Sequence, residues 1–256
     1  MLVQREKFKD WSCSLSGCDG GDPEKAKIWF CGIEWGYSKK DATEFEKIEY
    51  YTEKLPQEIN EGTYRPENNY PWKESLRYSY GRNIAKLYSV IETGDINNYI
   101  KTIDGLNGSE IFKLNLYPIP FNNTSEELWI KYKLNETTGF ENKNIYKTWC
   151  YMNRFPNIAK LTDEYKPKIV IGTGLSYFND FFVCFSGYEK YNMMINYGIL
   201  KSKDSERKVC YYWSKINTNT TLFVIPFFSS QYGLNSDYLI EEMGKNIREK
   251  SISFNT

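Results

Sequence analysis

Lys27-Ile28-Trp29-Phe30-Cys31-Gly32-Ile33-Glu34-Trp35-Gly36-Tyr37 is the stretch whose reading decides the fold. Ile28 to Cys31 form a short apolar run of strand-forming residues, and Gly32 breaks it. The run reads as a buried strand. Glu34 follows two residues later, just before Trp35 and the flexible Gly36, so a carboxylate is held among aromatic rings just past the strand's end. Ligands of open α/β sheets bind at such places. The plainer reading is a solvated loop carboxylate beside core rings.

Upstream, residues 1–26 are polar and end in Gly17-Cys18-Asp19-Gly20-Gly21-Asp22-Pro23, a cluster of turn formers. They read as an arm or short helix with a loop, leading into the first core strand. Downstream, Phe45, Ile48 and Tyr51 recur at helical spacing among charges, which predicts a surface helix over Asp41–Lys54 ended by Pro56. Residues 60–75, with Tyr64, Tyr70 and Trp72, show no period and read as a long ordered loop. Ile84, Leu87, Val90 and Ile91 predict a helix over Leu76–Ile91 that Gly94 closes.

Glu110 to Phe121, reading EIFKLNLYPIPF, is the second informative stretch. Ile111, Phe112 and Leu114 predict a core strand, and Asn115 arrives where the chain leaves the sheet through Tyr117-Pro118-Ile119-Pro120. Its amide offers one acceptor and two donors. Helices are expected at Trp129 and Tyr132, over about 144–164, from Tyr177 to Phe185, and over about 236–249. Strands are expected at Ile169–Ile171, Val209–Trp213 and Thr221–Ile225. The last strand exits through Pro226-Phe227-Phe228-Ser229-Ser230-Gln231-Tyr232-Gly233-Leu234-Asn235, a third place where functional residues can gather. Gly172-Thr173-Gly174 lacks the third glycine of a dinucleotide fingerprint, because Tyr177 stands in its place.

Composition narrows the chemistry. An apolar fraction of 41% over 256 residues supports one domain spanning 1–256 with a real core. Lys plus Arg and Asp plus Glu are both 33, so no long-range field supports tight non-specific nucleic-acid binding. With no His, a Ser-His-Asp or Cys-His triad is excluded, and so are most zinc sites. Acid–base work therefore falls to carboxylates, Lys, Tyr, Cys or water. The 22 Tyr and 7 Trp suit flat ligands such as bases or sugars. Cys13 and Cys18, with Cys150 or Cys210, are the cysteines whose spacing allows a metal or iron–sulfur cluster; without a second close pair, no metal is expected. No signal-peptide core and no apolar run of membrane length stands in the sequence, so a soluble, cytoplasmic protein is expected.

In chain order, the three strand exits carry a Gly-x-carboxylate turn, an Asn followed by Pro, and a Ser-rich loop feeding the C-terminal helix. That order, with the KPKIVIGTG strand at Lys166–Gly174, resembles the uracil-DNA glycosylase superfamily from about Ile28 to Lys250. In motif style it is closest to the single-strand-selective monofunctional branch. The resemblance implies an α/β fold, a three-layer αβα sandwich around a mostly parallel sheet of four to five strands. It also implies a monomer that needs no cofactor and acts on single- or double-stranded DNA with an extruded base.

Gly32-Ile33-Glu34 looks like the family's first motif, whose carboxylate stabilises the sugar cation and positions water. Asn115 matches the residue that reads the base, so Glu34 and Asn115 are the expected catalytic pair. Gly32, Ile33, Trp35, Gly36, Tyr37, Phe112, Tyr117 and Phe227 are the expected base pocket. Ser229, Ser230, Gln231, Tyr232 and Leu234 are the expected DNA contacts, with Tyr232 or Leu234 as the wedge. Arg77, Arg82 and Lys113 are further candidates for phosphate. The departure is Phe227-Phe228-Ser229 where the family has His-Pro-Ser, so the His that supports the departing base is missing.

The implied activity is hydrolysis of the N-glycosidic bond of an unusual, damaged or modified pyrimidine, leaving an abasic site. Glucosylated hydroxymethylcytosine of phage DNA, excised in defence, is one expected substrate because the aromatic residues suit a sugar-bearing base. A catalytically silent nucleic-acid- or nucleotide-binding protein of the same fold is the alternative.

Overall fold

β1 (Ile28–Glu34) lies between two parallel neighbours, β2 (Ile111–Tyr117) and β3 (Ile169–Thr173), which is why its sequence is apolar on both faces. The computed structural model describes residues 3–34, 36, 47–106, 108–121, 124–188, 194–203, 206–228 and 232–252. Trp29 and Cys31 pack into one layer, and Ile28 and Phe30 into the other. With β4 (Asn196–Lys201), β5 (Lys208–Lys215) and β6 (Thr221–Ile225), the six-stranded sheet has the order β2-β1-β3-β6-β5-β4. β6 runs parallel to β3, whereas β5 is antiparallel to both of its neighbours.

On one face the core includes residues of α1 (Arg5–Ser12), α3 (Lys143–Tyr165) and α4 (Phe178–Ser186). On the other face it includes residues of α2 (Ser79–Thr93) and α5 (Asp237–Ile252). This is the expected mixed α/β sandwich of three layers. The sheet has one strand more than expected, the edge strand β4. Its outward residues Tyr197 and Ile199 are exposed and Gly198 interrupts it, so its apolar pattern is weak.

α2 ends as expected at Gly94, whose φ of 84° is the left-handed turn that glycine adopts without strain. The helix expected to stop at Pro56 instead continues. A π-helical turn over Tyr50–Lys54 runs into a helix over Leu55–Glu61, with Pro56 in its first turn, where its missing N–H costs little. Tyr51, one of the apolar positions at helical spacing, is fully buried: its ring stacks on Tyr132 at 4.3 Å and its hydroxyl donates to Pro120 O at 2.9 Å. Residues 41–46 of the expected helix lie outside the described residues. No helix among the described residues is long and apolar enough to cross a membrane.

Candidate active-site cleft

The chain passes from β1 to β2 on one side and then crosses to β3 on the other, so connections diverge at the carboxyl end of β1. Such a divergence leaves a crevice above the sheet. A cleft of about 1190 Å³ opens there, and its lining includes Gly32, Ile33 and Glu34 of β1, Lys113 and Asn115 of β2, and Phe227 after β6. Within the sheet, Gly32 pairs with Asn115 and Glu34 with Tyr117, which sets the first two motifs side by side.

Glu34 is held by Lys143, the first residue of α3. The ammonium lies 2.9 Å from Oε1 and 3.0 Å from Oε2, with the lysine side chain 0% and the glutamate side chain 3% exposed. Asn142 caps α3 by accepting from Ile145 N at 3.0 Å, which fixes where the helix starts and hence where Lys143 projects. The Lys143 Nζ also sits 3.9 Å from the centroid of the Phe121 ring. Burial raises the Glu34 carboxyl, and Lys143 opposes that rise. Burial lowers the Lys143 ammonium, and Glu34 opposes that fall. Both carboxylate oxygens lie within ion-pair distance of the one ammonium, with the hydrogen bond made to Oε2. Buried ion pairs seldom stabilise a fold more than apolar packing would. A buried, perturbed carboxylate in a cleft is instead a mark of chemistry.

Asn115 donates from Nδ2 to Gly17 O at 2.7 Å, and its Oδ1 lies over Gly32, where a Cβ would collide with it. Gly17 has a φ of 73°, and a Cβ there would stand 2.8 Å from Pro118 Cα, so only glycine lets this loop close on the β2 exit. Arg154 of α3, fully buried, holds the arrangement from behind. It donates to Leu116 O at 2.8 Å, to Asn115 O and Ser16 O at 2.9 Å each, and to Ser12 O. One guanidinium thus joins the N-terminal loop to the strand that carries Asn115.

The opposite wall is aromatic. The Tyr80 ring, near the start of α2, stacks on Phe227 at 5.4 Å and 19° and meets Phe228 edge-on at 5.5 Å. Thr173 Oγ1 donates its single proton to Cys31 O at 3.2 Å, so the 2.7 Å bond between Tyr80 and Thr173 has the tyrosine as donor. Burial raises the Tyr80 hydroxyl well above its ordinary range, so it stays neutral. Lys113 reaches the same space, ion-paired with Asp19 and 5.2 Å from the Tyr80 ring centroid.

Of the residues expected at the site, Gly32, Ile33, Glu34, Gly36, Asn115 and Phe227 line the cleft together. Trp35, Tyr37, Ser229, Ser230 and Gln231 lie outside the described residues. Phe112 is not in the pocket: strand alternation turns it away from Asn115, and it packs edge-on against Trp29 in the core at 5.1 Å. Tyr117 is also core, its hydroxyl bonded to Asp180 of α4. Leu234 is fully buried and cannot act as an exposed wedge, because its N–H donates to Phe227 O at 2.9 Å and folds the loop inward. Tyr232 is 79% exposed. Arg77 is exposed and lines the cleft; Arg82 is exposed and bonds Leu76 O and Arg77 O.

Sequence reasoning missed Lys143, Tyr80, Arg154 and the Ser16–Asp19 loop. Lys143 is 109 positions from Glu34, and nothing local sets it apart from other helix-start lysines. Among the described residues no group of three or more His, Cys, Asp or Glu is placed to hold a metal ion. Comparison with protein-family models and with curated protein sequences gives no match for this chain.

Proposed function

We propose that the chain is a monofunctional DNA glycosylase that removes an unusual or modified pyrimidine extruded from the strand. The observation that carries the reading is the convergence of Glu34 and Asn115, from adjacent parallel strand exits, on one aromatic-walled cleft. Breaking the N-glycosidic bond puts positive charge on the deoxyribose and negative charge on the base, so a fixed carboxylate and polar groups around the base each act on developing charge. Glu34, whose burial-driven rise Lys143 restrains, stabilises the sugar cation and takes a proton from the attacking water. Asn115, held by Gly17 and by the Arg154 clamp, reads the base edge. The ring of Phe227 offers a face for the base to stack on.

The cleft volume of about 1190 Å³ is generous for a bare pyrimidine. Tyr64 and Tyr70 line it with the carboxylates of Glu58 and Glu74, a mixture suited to a base with a polar, bulky substituent such as a sugar. The test is a base-release assay on DNA carrying uracil, hydroxymethylcytosine and glucosylated bases, read by mass spectrometry of the freed base and by alkali-sensitive abasic sites. Release of one base, lost in Glu34→Gln, supports the reading. DNA binding without release from any member of the panel moves the assignment to a silent binding protein of the same fold.

A further inference from the structure

We propose that Lys113 is the cation that stabilises the departing base. The assignment rests on the glycosylase reading above and gives it the element that Phe227-Phe228-Ser229 lacks. Cleavage sends the electron pair of the C1′–N bond onto the base, where it spreads over ring nitrogen and carbonyl oxygens. The sugar becomes an oxocarbenium ion and captures water. Glu34 takes that water's proton and returns it to solvent, the base anion takes one proton from solvent, and the sum is one water consumed to give free base plus an abasic sugar. A fixed ammonium beside the base acts on charge that exists only as the bond breaks, which lowers the barrier without tightening substrate binding.

Lys113 precedes Asn115 by two residues, so both side chains leave the same face of β2, and both line the cleft. Its backbone is pinned on both sides of the peptide: Asp19 N donates to Lys113 O at 2.9 Å, and Lys113 N donates to Gly20 O at 3.0 Å. The side chain is 13% exposed, which withdraws it from the surface phosphate role expected of it. An ammonium has three donors. Asp19 engages it, the Tyr80 ring lies beside it, and donor capacity remains for the cleft.

The titratable groups that face it are Asp19 and Cys18 of the N-terminal loop and Tyr80 of α2, with Glu74 and Arg77 on the same cleft wall. Burial keeps the Cys18 thiol and the Tyr80 hydroxyl neutral. Burial lowers the Lys113 ammonium to about 8, so it is charged at neutral pH and loses its charge in an accessible range. A lysine that only tethered the N-terminal loop to β2 would affect all bases alike.

The experiment measures single-turnover base release by the full chain for wild type, Lys113→Met and Lys113→Arg. The DNA carries the 5-fluoro, unsubstituted and 5-methyl forms of uracil and cytosine, graded in ring N–H acidity, alongside the modified-base panel. Lys113→Met should slow release of the least acidic bases by about 10²–10³-fold and of the most acidic by much less. Lys113→Arg should restore the shallow dependence and move the alkaline limb of the rate from about 8 to far higher pH. Equal losses on every base, or an alkaline limb unmoved in Lys113→Arg, overturn the assignment and leave Lys113 as a tether. Should Lys113→Met fail to melt cooperatively, the Lys113→Arg pH profile on any released base decides. Release that depends on Glu34 but not on these criteria overturns the Lys113 assignment alone; no release by wild type overturns the glycosylase reading with it.

Discussion

Lys143 Nζ stands 2.9 Å and 3.0 Å from the two carboxylate oxygens of Glu34, and neither side chain is open to solvent. Burial pulls both groups toward their neutral forms, and each restrains the other. The Glu34 carboxyl is raised in the fold, so the acid limb of base release should lie above the range of a solvated carboxylate. Removing the ammonium in Lys143→Met should move that limb further up, since only burial then acts on Glu34. The sign for stability follows from the same shift. A carboxyl raised in the folded state favours folding below its unfolded value and loses that contribution as pH rises through its folded value. The variant should therefore be close to wild type near pH 4 and increasingly destabilised toward pH 8, by up to about 3–5 kcal/mol for a broken buried pair. Thermal melts at the two pH values check it; a loss of equal size at both would sink the account.

Arg154 ties residues that are far apart in the chain, Ser12 and Ser16 on one side and Asn115 and Leu116 on the other. Arg154→Met would leave several buried carbonyls unpaired, each costing roughly 1–3 kcal/mol. The expected result is a loss of at least about 3 kcal/mol in urea unfolding, with local exchange of backbone amides around Ser16–Asp19 rising first. In the milder Arg154→Lys, activity should fall more than stability, because Asn115 is no longer held in register.

How much of this was legible in the sequence depends on how local each signal is. The parallel strands and the positions of Gly32, Glu34 and Asn115 are readable because a strand's exit from a parallel sheet fixes where its side chains emerge. Phe112 and Lys113 expose the limit: EIFKLNLY is apolar on both faces, so the odd–even alternation that buries Phe112 and aims Lys113 into the cleft has little contrast to reveal it. Lys143 and Arg154 look like ordinary helix residues, since what buries them is packing of α3 against β1 and β2, a tertiary event. Leu234 sits in a loop with no periodicity, where exposure cannot be inferred from residue type. β4 is an edge strand with two exposed apolar residues, and half-solvated edges carry the weakest pattern.

Gly32 lies directly beneath the Asn115 amide. Gly32→Ala should fold, because Oδ1 belongs to a side chain that can turn aside, at a cost of about 1–3 kcal/mol for overpacking. Turning aside breaks the bond from Nδ2 to Gly17 O and removes the base-reading geometry. Base release should fall by more than tenfold, about 1.4 kcal/mol or more in the barrier, with the circular dichroism spectrum unchanged. Wild-type release rates in Gly32→Ala would show that Asn115 does not act from this position.

Tyr232 and Leu234 stand two residues apart in the loop before α5 and face opposite fates, one 79% exposed and the other fully buried. The loop between them is anchored by Arg207, which donates to Asn235 Oδ1 at 3.0 Å and to Gly233 O. Leu234→Ala should cost about 2–5 kcal/mol through the cavity it leaves. Tyr232→Ala removes no buried contact of that kind and should stay within about 0.5 kcal/mol of wild type. Under the glycosylase reading, an anchored aromatic tip fills the gap left by an extruded base, and that gap exists only in duplex DNA. Tyr232→Ala should thus slow release from double-stranded substrate by about tenfold, on the scale of the few kcal/mol that extrusion costs, and leave single-stranded release nearly intact. Parallel rates on single- and double-stranded oligonucleotides measure this directly, and equal losses on both would remove Tyr232 from the role of wedge.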